Sequence, residues 1–260
     1  MSKPMRIGLA GICWDRKSSF LQGPALAPPI IVNTMYDGSS NDYAENGKNV
    51  MSHLSITGHK HFEGYNEIRP YVGSLLKTYD KVILLGGDHS ITYPIVESHF
   101  SKYEAFDILH IDAHTDLYDI FEGDPHSHAC PFARIMDSKL CKRLVQVGIR
   151  GLNPHQRDQI KKFGVECIEM RLLSQLDSVK FERPVYISID LDGFDPAFAP
   201  GVSHQEAGGL DPRTVINFIQ RIDQEVIGAD IVEYNPHRDH SNITASLASK
   251  LVKEVASVMI

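Results

Sequence analysis

Residues 106–116 read Phe-Asp-Ile-Leu-His-Ile-Asp-Ala-His-Thr-Asp, an apolar strand that ends in Asp112, His114 and Asp116. Side chains at positions i, i+2 and i+4 of an extended segment share one face, so these three can converge on one point. A second apolar run, residues 185–195, ends in a similar way with Asp190 and Asp192. Together the two stretches predict divalent cations held at one end of a sheet.

Short apolar runs alternate with longer amphipathic segments along the rest of the chain. Near-continuous apolar strands alternating with helices indicate a parallel sheet covered on both faces. We therefore predict an α/β fold, a three-layer α/β/α sandwich with a mostly parallel central sheet, in a single domain over residues 1–260. The predicted strands are 6–12, 81–85, 106–111, 144–148, 165–168, 185–189 and 226–232, and the predicted helices are 66–78, 91–101, 129–136, 154–163, 212–224 and 244–259.

The stretch 36–64 is rich in Gly, Ser and Asn and has weak periodicity. We expect it to be a long surface loop that serves either as a lid or as an oligomer contact.

The composition excludes several classes of protein. A formal charge of −7 over 260 residues argues against a nucleic-acid partner. The four cysteines form no Cys-x-x-Cys pair, which indicates a reducing compartment rather than a disulfide scaffold. Residues 1–6 carry no signal-peptide stretch, and no apolar run is long enough to cross a membrane. We expect a cytoplasmic protein that binds neither nucleic acid nor membrane.

A third polar cluster, Gly-Gly-Asp-His-Ser at 86–90, follows the predicted strand 81–85 and adds His89. Functional crevices of open α/β sheets lie beyond the carboxyl ends of the strands, where all three clusters fall. Each aspartate could instead simply cap the next helix. Four buried carboxylates without cations would repel one another strongly, however, and lose their hydration. Oxygen-rich sites with histidine and no thiolate suit manganese better than a structural zinc.

Two neighbouring cations can share one water and lower its pKa, which indicates a hydrolase. The motifs resemble the ureohydrolase family, arginase, agmatinase and their relatives, which hydrolyse a guanidinium group at a dimanganese centre and release urea. The likeness begins at residues 19–29 and ends at 233–236, and plant-type arginases resemble this chain most closely in the stretches 127–136, 146–150 and 195–204. The resemblance implies an arginase-like fold, two Mn²⁺ per subunit and a homo-oligomer, either a trimer or a hexamer.

Carried over position by position, the resemblance implies two overlapping ligand sets. One manganese would be held by His89, Asp112, Asp116 and Asp190, and the other by His114, Asp112, Asp190 and Asp192.

The resemblance also implies three catalytic residues. Asp116 would accept a hydrogen bond from the bridging hydroxide, His128 would shuttle protons to the departing amine, and Glu233 would pair with the guanidinium. The structural alternatives are a helix cap for His128 and an ion pair with Arg238 for Glu233. The loop with His204 and Glu206 should border the site.

The identity of the substrate depends on the loop 117–127, which contains Asp119, Glu122 and Asp124 and no Arg or Lys. Asp124 stands where plant-type arginases have Asn, so we predict that it contacts the substrate together with His128 and Glu233. An acidic wall suits the ammonium tail of agmatine, which would give putrescine and urea. The resemblance favours L-arginine, which would give L-ornithine and urea. Another guanidino or formimino substrate, a one-zinc deacylase and an inactive regulatory or scaffold homologue are the alternatives.

Overall fold

The computed structural model describes residues 5–260, in which eight parallel strands form one continuous sheet. The order across the sheet is β2-β1-β3-β8-β7-β4-β5-β6. The strands are β1 (Ile7–Cys13), β2 (Leu54–His61), β3 (Lys81–Leu85), β4 (Asp107–Ile111), β5 (Arg143–Ile149), β6 (Glu166–Glu169), β7 (Val185–Asp190) and β8 (Val226–Val232). Residues 1–4 lie outside the described residues. The predicted single domain and the segment expected to lack a signal peptide both begin there.

Within the described part of the chain, seven α-helices cover the sheet. They are α1 (Ala27–Tyr36), α2 (Ile68–Thr78), α3 (Thr92–Phe100), α4 (Pro131–Asp137), α5 (Pro154–Phe163), α6 (Pro212–Gln220) and α7 (Ile243–Met259). Two of them begin with a polar cap before a proline. Asn153 accepts a hydrogen bond from Gln156 N (3.0 Å), and Asp211 accepts one from Thr214 N (2.9 Å). Each cap satisfies a backbone N–H that the first helical turn leaves free.

The helices lie in two layers because each strand is apolar on both faces. In β3, Ile83 and Leu85 join the core shared with α1, α6 and α7. Val82 and Leu84 point the other way, into the core shared with α2, α3 and α4. The prediction of a three-layer α/β/α sandwich is confirmed, and the sheet is entirely parallel.

Two elements near the N-terminus escaped prediction. β2 lies inside the stretch 36–64 that was expected to be loop, and it pairs with β1 in parallel. It is an edge strand whose residues are all partly or fully exposed, so its sequence lacks the apolar run of the central strands. α1 begins Ala-Pro-Pro, and the prolines weaken its helical pattern. Nearer the C-terminus of the chain, α6 ends at Gln220, four residues before its predicted end.

The strand order determines where the polar clusters meet. β4 follows β3 in the sequence, but two strand positions separate them in the sheet. β8 and β7 occupy these two positions. The carboxyl ends of β3, β8, β7 and β4 are therefore consecutive along one edge, which is where ligands of open α/β sheets bind. Among residues 5–260, no helix is both long and apolar enough to cross a bilayer.

Candidate metal centre and active site

Two turns of the same kind present the carboxylates after β4 and β7. Asp112 Oδ1 accepts a hydrogen bond from His114 N (2.6 Å), and Asp190 Oδ1 accepts one from Asp192 N (2.8 Å). An aspartate that binds the backbone two residues ahead reverses the chain within a single turn. Each turn thus uses one carboxylate oxygen and brings the next ligand back beside the other.

Gly193 allows the two turns to touch. A Cβ at this position would lie 2.9 Å from both Cα and N of Asp112, closer than a side chain tolerates. Asp192 Oδ1 lies 3.3 Å from Ala113 N, which donates to it. The close approach therefore holds Asp192 against the end of β4.

The first ligand cluster surrounds the fully buried ring of His89. Its Nδ1 lies 3.0 Å from Asp116 Oδ2, 3.1 Å from Asp190 Oδ2 and 3.3 Å from Asp112 Oδ2. Among residues 5–260, none forms a hydrogen bond that satisfies this nitrogen, although three carboxylates surround it. These four residues are the first predicted ligand set, brought together from three strand ends.

The geometry fits a divalent cation. Neighbouring ligands of an octahedral ion with bonds of about 2.1 Å lie about 3.0 Å apart. The spacings around His89 Nδ1 match that value, and a cation would satisfy both the nitrogen and the three carboxylates. The donor set contains imidazole and carboxylate without thiolate, as predicted.

The second cluster joins His114, Asp112 and Asp192. His114 Nδ1 lies 3.2 Å from Asp192 Oδ2 and 3.5 Å from Asp112 Oδ1. Asp112 belongs to both clusters, as expected of a bridging ligand. Asp190 lines the same cavity, but of the two clusters it belongs only to the first. Its role as a second ligand bridging the two cations therefore stays a prediction.

The electrostatics around Asp190 and Asp192 favour the binding of positive charge. Burial, followed by repulsion from Asp192 and Asp112, raises the pKa of Asp190 well above its usual value. Burial also raises the pKa of Asp192 to about 6, although the His114 ring opposes the shift. Carboxylates gathered this closely cannot all ionise unless cations compensate them.

His128 and Glu233 form a hydrogen-bonded pair beside the candidate ligands. His128 Nδ1 lies 3.0 Å from Glu233 Oε1, and its Nε2 lies 2.8 Å from Ser19 Oγ. Glu233 Oε1 also accepts a hydrogen bond from His89 N (2.8 Å). Burial of the ring opposes protonation, but the hydrogen bond and charge of Glu233 raise the pKa of His128 to about 9. The raised pKa favours the protonated form of the predicted proton carrier.

Backbone strain coincides with two of the predicted catalytic residues. Asp116 has φ of 49° and Glu233 has φ of 63°, both in the left-handed region that non-glycine residues rarely adopt. Such strain persists only where surrounding contacts enforce it, and it is common at functional sites. In this protein it directs both carboxylates into one cavity.

Buried partners that the sequence analysis missed orient the ligands. His110 Nε2 lies 2.7 Å from Asp112 Oδ2, and Gln146 supports the His110 ring from the next strand. On the other side, His89 Nε2 contacts Ser188 Oγ (3.0 Å), which donates to Asp230 (2.7 Å). Their signal in the sequence is a polar residue inside an apolar strand, at His110, Gln146, Ser188 and Asp230, where a buried polar group needs a partner.

The cavity above the ligands has a mixed lining. His204 lines it, and Glu206 Oε1 lies 3.7 Å from His114 Nε2 at the rim. Among the described residues, Asp124 is not part of the lining, and its carboxylate is ion-paired with Lys17. Burial raises the pKa of the neighbouring Cys130 thiol to about 12, so this cysteine is a packing residue. The lining is completed by Ser19, His114, Asp116, Tyr118, Phe121, His128, Ala129, Gly151, Gln156, Asp190, Asp192 and Glu233.

Comparison with known proteins agrees with this geometry. The sequence matches the Arginase family over residues 5–257. The chain belongs to the arginase family. Its members are hydrolases that act on guanidino groups, so the predicted ureohydrolase family and enzyme class are both confirmed.

Individual members of the arginase family are similar over 72% to 98% of the chain. "Arginase 1, mitochondrial" of Arabidopsis thaliana is 44% identical over 96% of this chain and 80% of its own length. "Agmatinase" of Bacillus anthracis is 38% identical over 72% of this chain and 67% of its own length. The solved structure of "Arginase from Medicago truncatula" has a TM-score of 0.92 and 41% identity, and the alignment covers 98% of this chain and 88% of that one.

The arginase family also corrects one expectation. Plant arginases of Arabidopsis thaliana, Medicago truncatula and Oryza sativa that match this chain are named mitochondrial or chloroplastic/mitochondrial, so the expected cytoplasmic location is wrong. The reasoning failed because unpaired cysteines distinguish reducing from oxidising compartments and do not separate one reducing compartment from another.

Proposed function

We propose that this protein is a binuclear manganese hydrolase that converts L-arginine to L-ornithine and urea. The observation that carries the proposal is the meeting of six imidazole and carboxylate ligands, in two overlapping clusters, beside the His128–Glu233 pair. The ligands would be His89, Asp112, Asp116 and Asp190 for one cation, and His114, Asp112, Asp190 and Asp192 for the other. When bound, the two cations would supply an activated water as the nucleophile.

Glu233 would bind the guanidinium group. Its carboxylate lies at the end of β8, lines the cavity and is held on one side by His89 N and on the other by His128. The hydrogen bond from His128, although opposed by burial, lowers the pKa of Glu233, so the carboxylate is ionised. A fixed carboxylate suits a planar, permanently charged guanidinium and orients its carbon towards the ligand clusters.

His128 would provide the proton that the reaction requires. Hydrolysis adds water to the guanidinium carbon and breaks its bond to the alkyl nitrogen, so the departing amine must be protonated. His128 Nε2 lies 2.8 Å from Ser19 Oγ in the same cavity wall, and the raised pKa of the ring favours a proton that His128 can donate. Asp116 can accept the proton that the attacking water loses, because its carboxylate lines the cavity beside the ligands.

Two observations favour arginine over agmatine as the substrate. Identity to the plant arginase is higher and extends over more of the chain than identity to the agmatinase. Of the three loop acids that argued for an ammonium tail, Asp124 is already paired with Lys17 and Asp119 with Lys162. We also infer a homo-oligomer, a trimer or a hexamer, from the family resemblance alone.

The experiment measures urea released from L-arginine and from agmatine by manganese-loaded protein, together with the metal content per chain. We expect urea mainly from arginine and two manganese ions per chain. Glu233→Gln should lower kcat/KM by about 100-fold or more, because the variant loses the charge that binds the guanidinium. Glu63→Gln, a change of the same chemistry at an exposed position, serves as the matched control.

Each other outcome has a definite meaning. Urea from agmatine alone would replace the substrate but leave the reaction unchanged. Protein that holds two metal ions and releases urea from neither compound would refute the proposed function.

A further inference from the structure

An ion pair outside the cavity joins two segments that carry site residues. Lys17 Nζ contacts the carboxylate of Asp124, 107 residues away in the sequence. Lys17 lies two residues before Ser19, and Asp124 lies four residues before His128. The pair therefore connects the two sides of the contact between Ser19 Oγ and His128 Nε2.

Backbone hydrogen bonds continue this connection. His128 N donates to Lys17 O (3.2 Å), and Ser19 N lies 3.3 Å from His128 Nε2. Lys17 N donates to Asp88 Oδ2 (2.9 Å), and Asp88 is fully buried beside the metal-ligand candidate His89. The segment 17–19 is thus attached to the end of β3 on one side and to His128 on the other.

Asp124 is equally well held on its own side. Its Oδ1 accepts a hydrogen bond from His126 N (2.8 Å), which leaves Oδ2 for Lys17. Asp124 and Phe121 exchange two backbone hydrogen bonds of 3.0 and 3.2 Å, and Phe121 lines the cavity. Burial opposes ionisation, but the bonds from Lys17 and His126 N hold the pKa of Asp124 below its usual value.

A direct contact between Asp124 and the substrate tail is the competing explanation. Such a contact would require the substrate to displace Lys17, whose ammonium also lies 5.8 Å from the centre of the Tyr65 ring. Both side chains are partly exposed, at 23% for Lys17 and 35% for Asp124, so the pair adds little to global stability. Its effect is therefore local, at the two segments it joins.

We propose that the Lys17–Asp124 pair positions His128 for proton transfer by holding the segment 17–19 against its ring. This inference rests on the proposed function for its kinetic consequences. Both residues act through His128 and Ser19, and neither touches the reacting atoms.

The kinetic test uses Asp124→Asn and Lys17→Gln in the manganese-loaded enzyme. Each should lower kcat about tenfold, a part of what a positioned acid contributes, and leave KM within about twofold. Adding Asp124→Asn to His128→Asn should cause no further loss, because the pair acts through His128. Asp119→Asn is the matched control, since Asp119 belongs to the same loop and pairs with Lys162 at 3.3 Å without touching the site.

Two kinetic results would overturn the proposal. A tenfold rise in KM with unchanged kcat would make Asp124 a substrate contact, and a further loss in the His128→Asn background would separate the pair from His128.

A structural measurement keeps the test independent of the reaction. Exchange of the His128 amide, which is bonded to Lys17 O, should be faster in Asp124→Asn and unchanged in Asp119→Asn. An unchanged rate in Asp124→Asn would refute the positioning role, whatever the enzyme hydrolyses.

Discussion

Replacing Gly87 by alanine should remove one metal ion while leaving the fold intact. Gly87 lies between the end of β3 and His89, where the chain passes over the backbone of Trp14. A Cβ at this position would lie 1.6 Å from Trp14 O, which is 1.4 Å short of the 3.0 Å that real contacts require. Because the obstacle is backbone, the Gly87 segment itself must move.

The substitution should lower the free energy of unfolding only moderately, but it should displace the metal ligands by a large distance. Overpacking costs typically about 1–3 kcal/mol, and losing the bond from Asp88 N to Trp14 O adds about 1 kcal/mol. A domain stable by about 5–15 kcal/mol stays folded after such a loss. Metal ligands, in contrast, tolerate displacements of only about 0.2 Å. The shift also reaches Glu233, whose N donates to Gly87 O at 2.9 Å.

The assay combines manganese analysis after equilibrium dialysis with thermal unfolding. We expect bound manganese to fall from two ions per chain to one or fewer, with unfolding still cooperative. Gly73→Ala is the control, because Gly73 lies inside α2 with no atom near its missing Cβ. That change should stabilise the protein by about 0.5–1 kcal/mol and leave manganese unchanged. Two tightly bound ions and normal kcat in Gly87→Ala would show that the loop adapts, and the reasoning would fail.

Two further predictions concern pH and metal removal. Glu233 raises the pKa of His128 to about 9, from about 6.5 in the unfolded chain. The His128–Glu233 pair therefore stabilises the folded protein fully below pH 6.5, and this contribution is lost as the pH rises through 9. In metal-free protein, Glu233→Gln should therefore be more destabilising at pH 6 than at pH 10, and equal losses in thermal scans would contradict the assignment. Chelating the cations should lower the free energy of unfolding by about 2.7–4.1 kcal/mol per site if each was present at about 100–1,000 times its Kd, and an unchanged Tm would count against bound metal.

The sequence by itself identified the candidate ligands through their close spacing. A turn at Asp112 and the left-handed backbone of Asp116, rather than the expected extended segment, bring Asp112, His114 and Asp116 together, and a second turn at Asp190 does the same for Asp192. Strong apolar runs likewise predicted all the central strands and the layered architecture. These features were readable because they depend on residues within a few positions of each other.

The tertiary structure alone decided which strand ends are neighbours. β8 and β7 lie between β3 and β4, although they follow them by more than 70 residues in the chain. That order brings Glu233 to His89 and His128, and no local pattern encodes it. The exposed edge strand β2 was missed for the opposite reason, because its residues bury too little apolar surface to leave a signal.

The difference between local sequence and tertiary contacts also explains why Asp124 was expected to contact the substrate. In the sequence it is one acid in an acidic loop, and its charge seemed available to a substrate. In the folded chain Lys17, 107 residues away, neutralises it. The sequence identifies a charged residue, but its electrostatic environment depends on groups that only folding brings within a few ångströms.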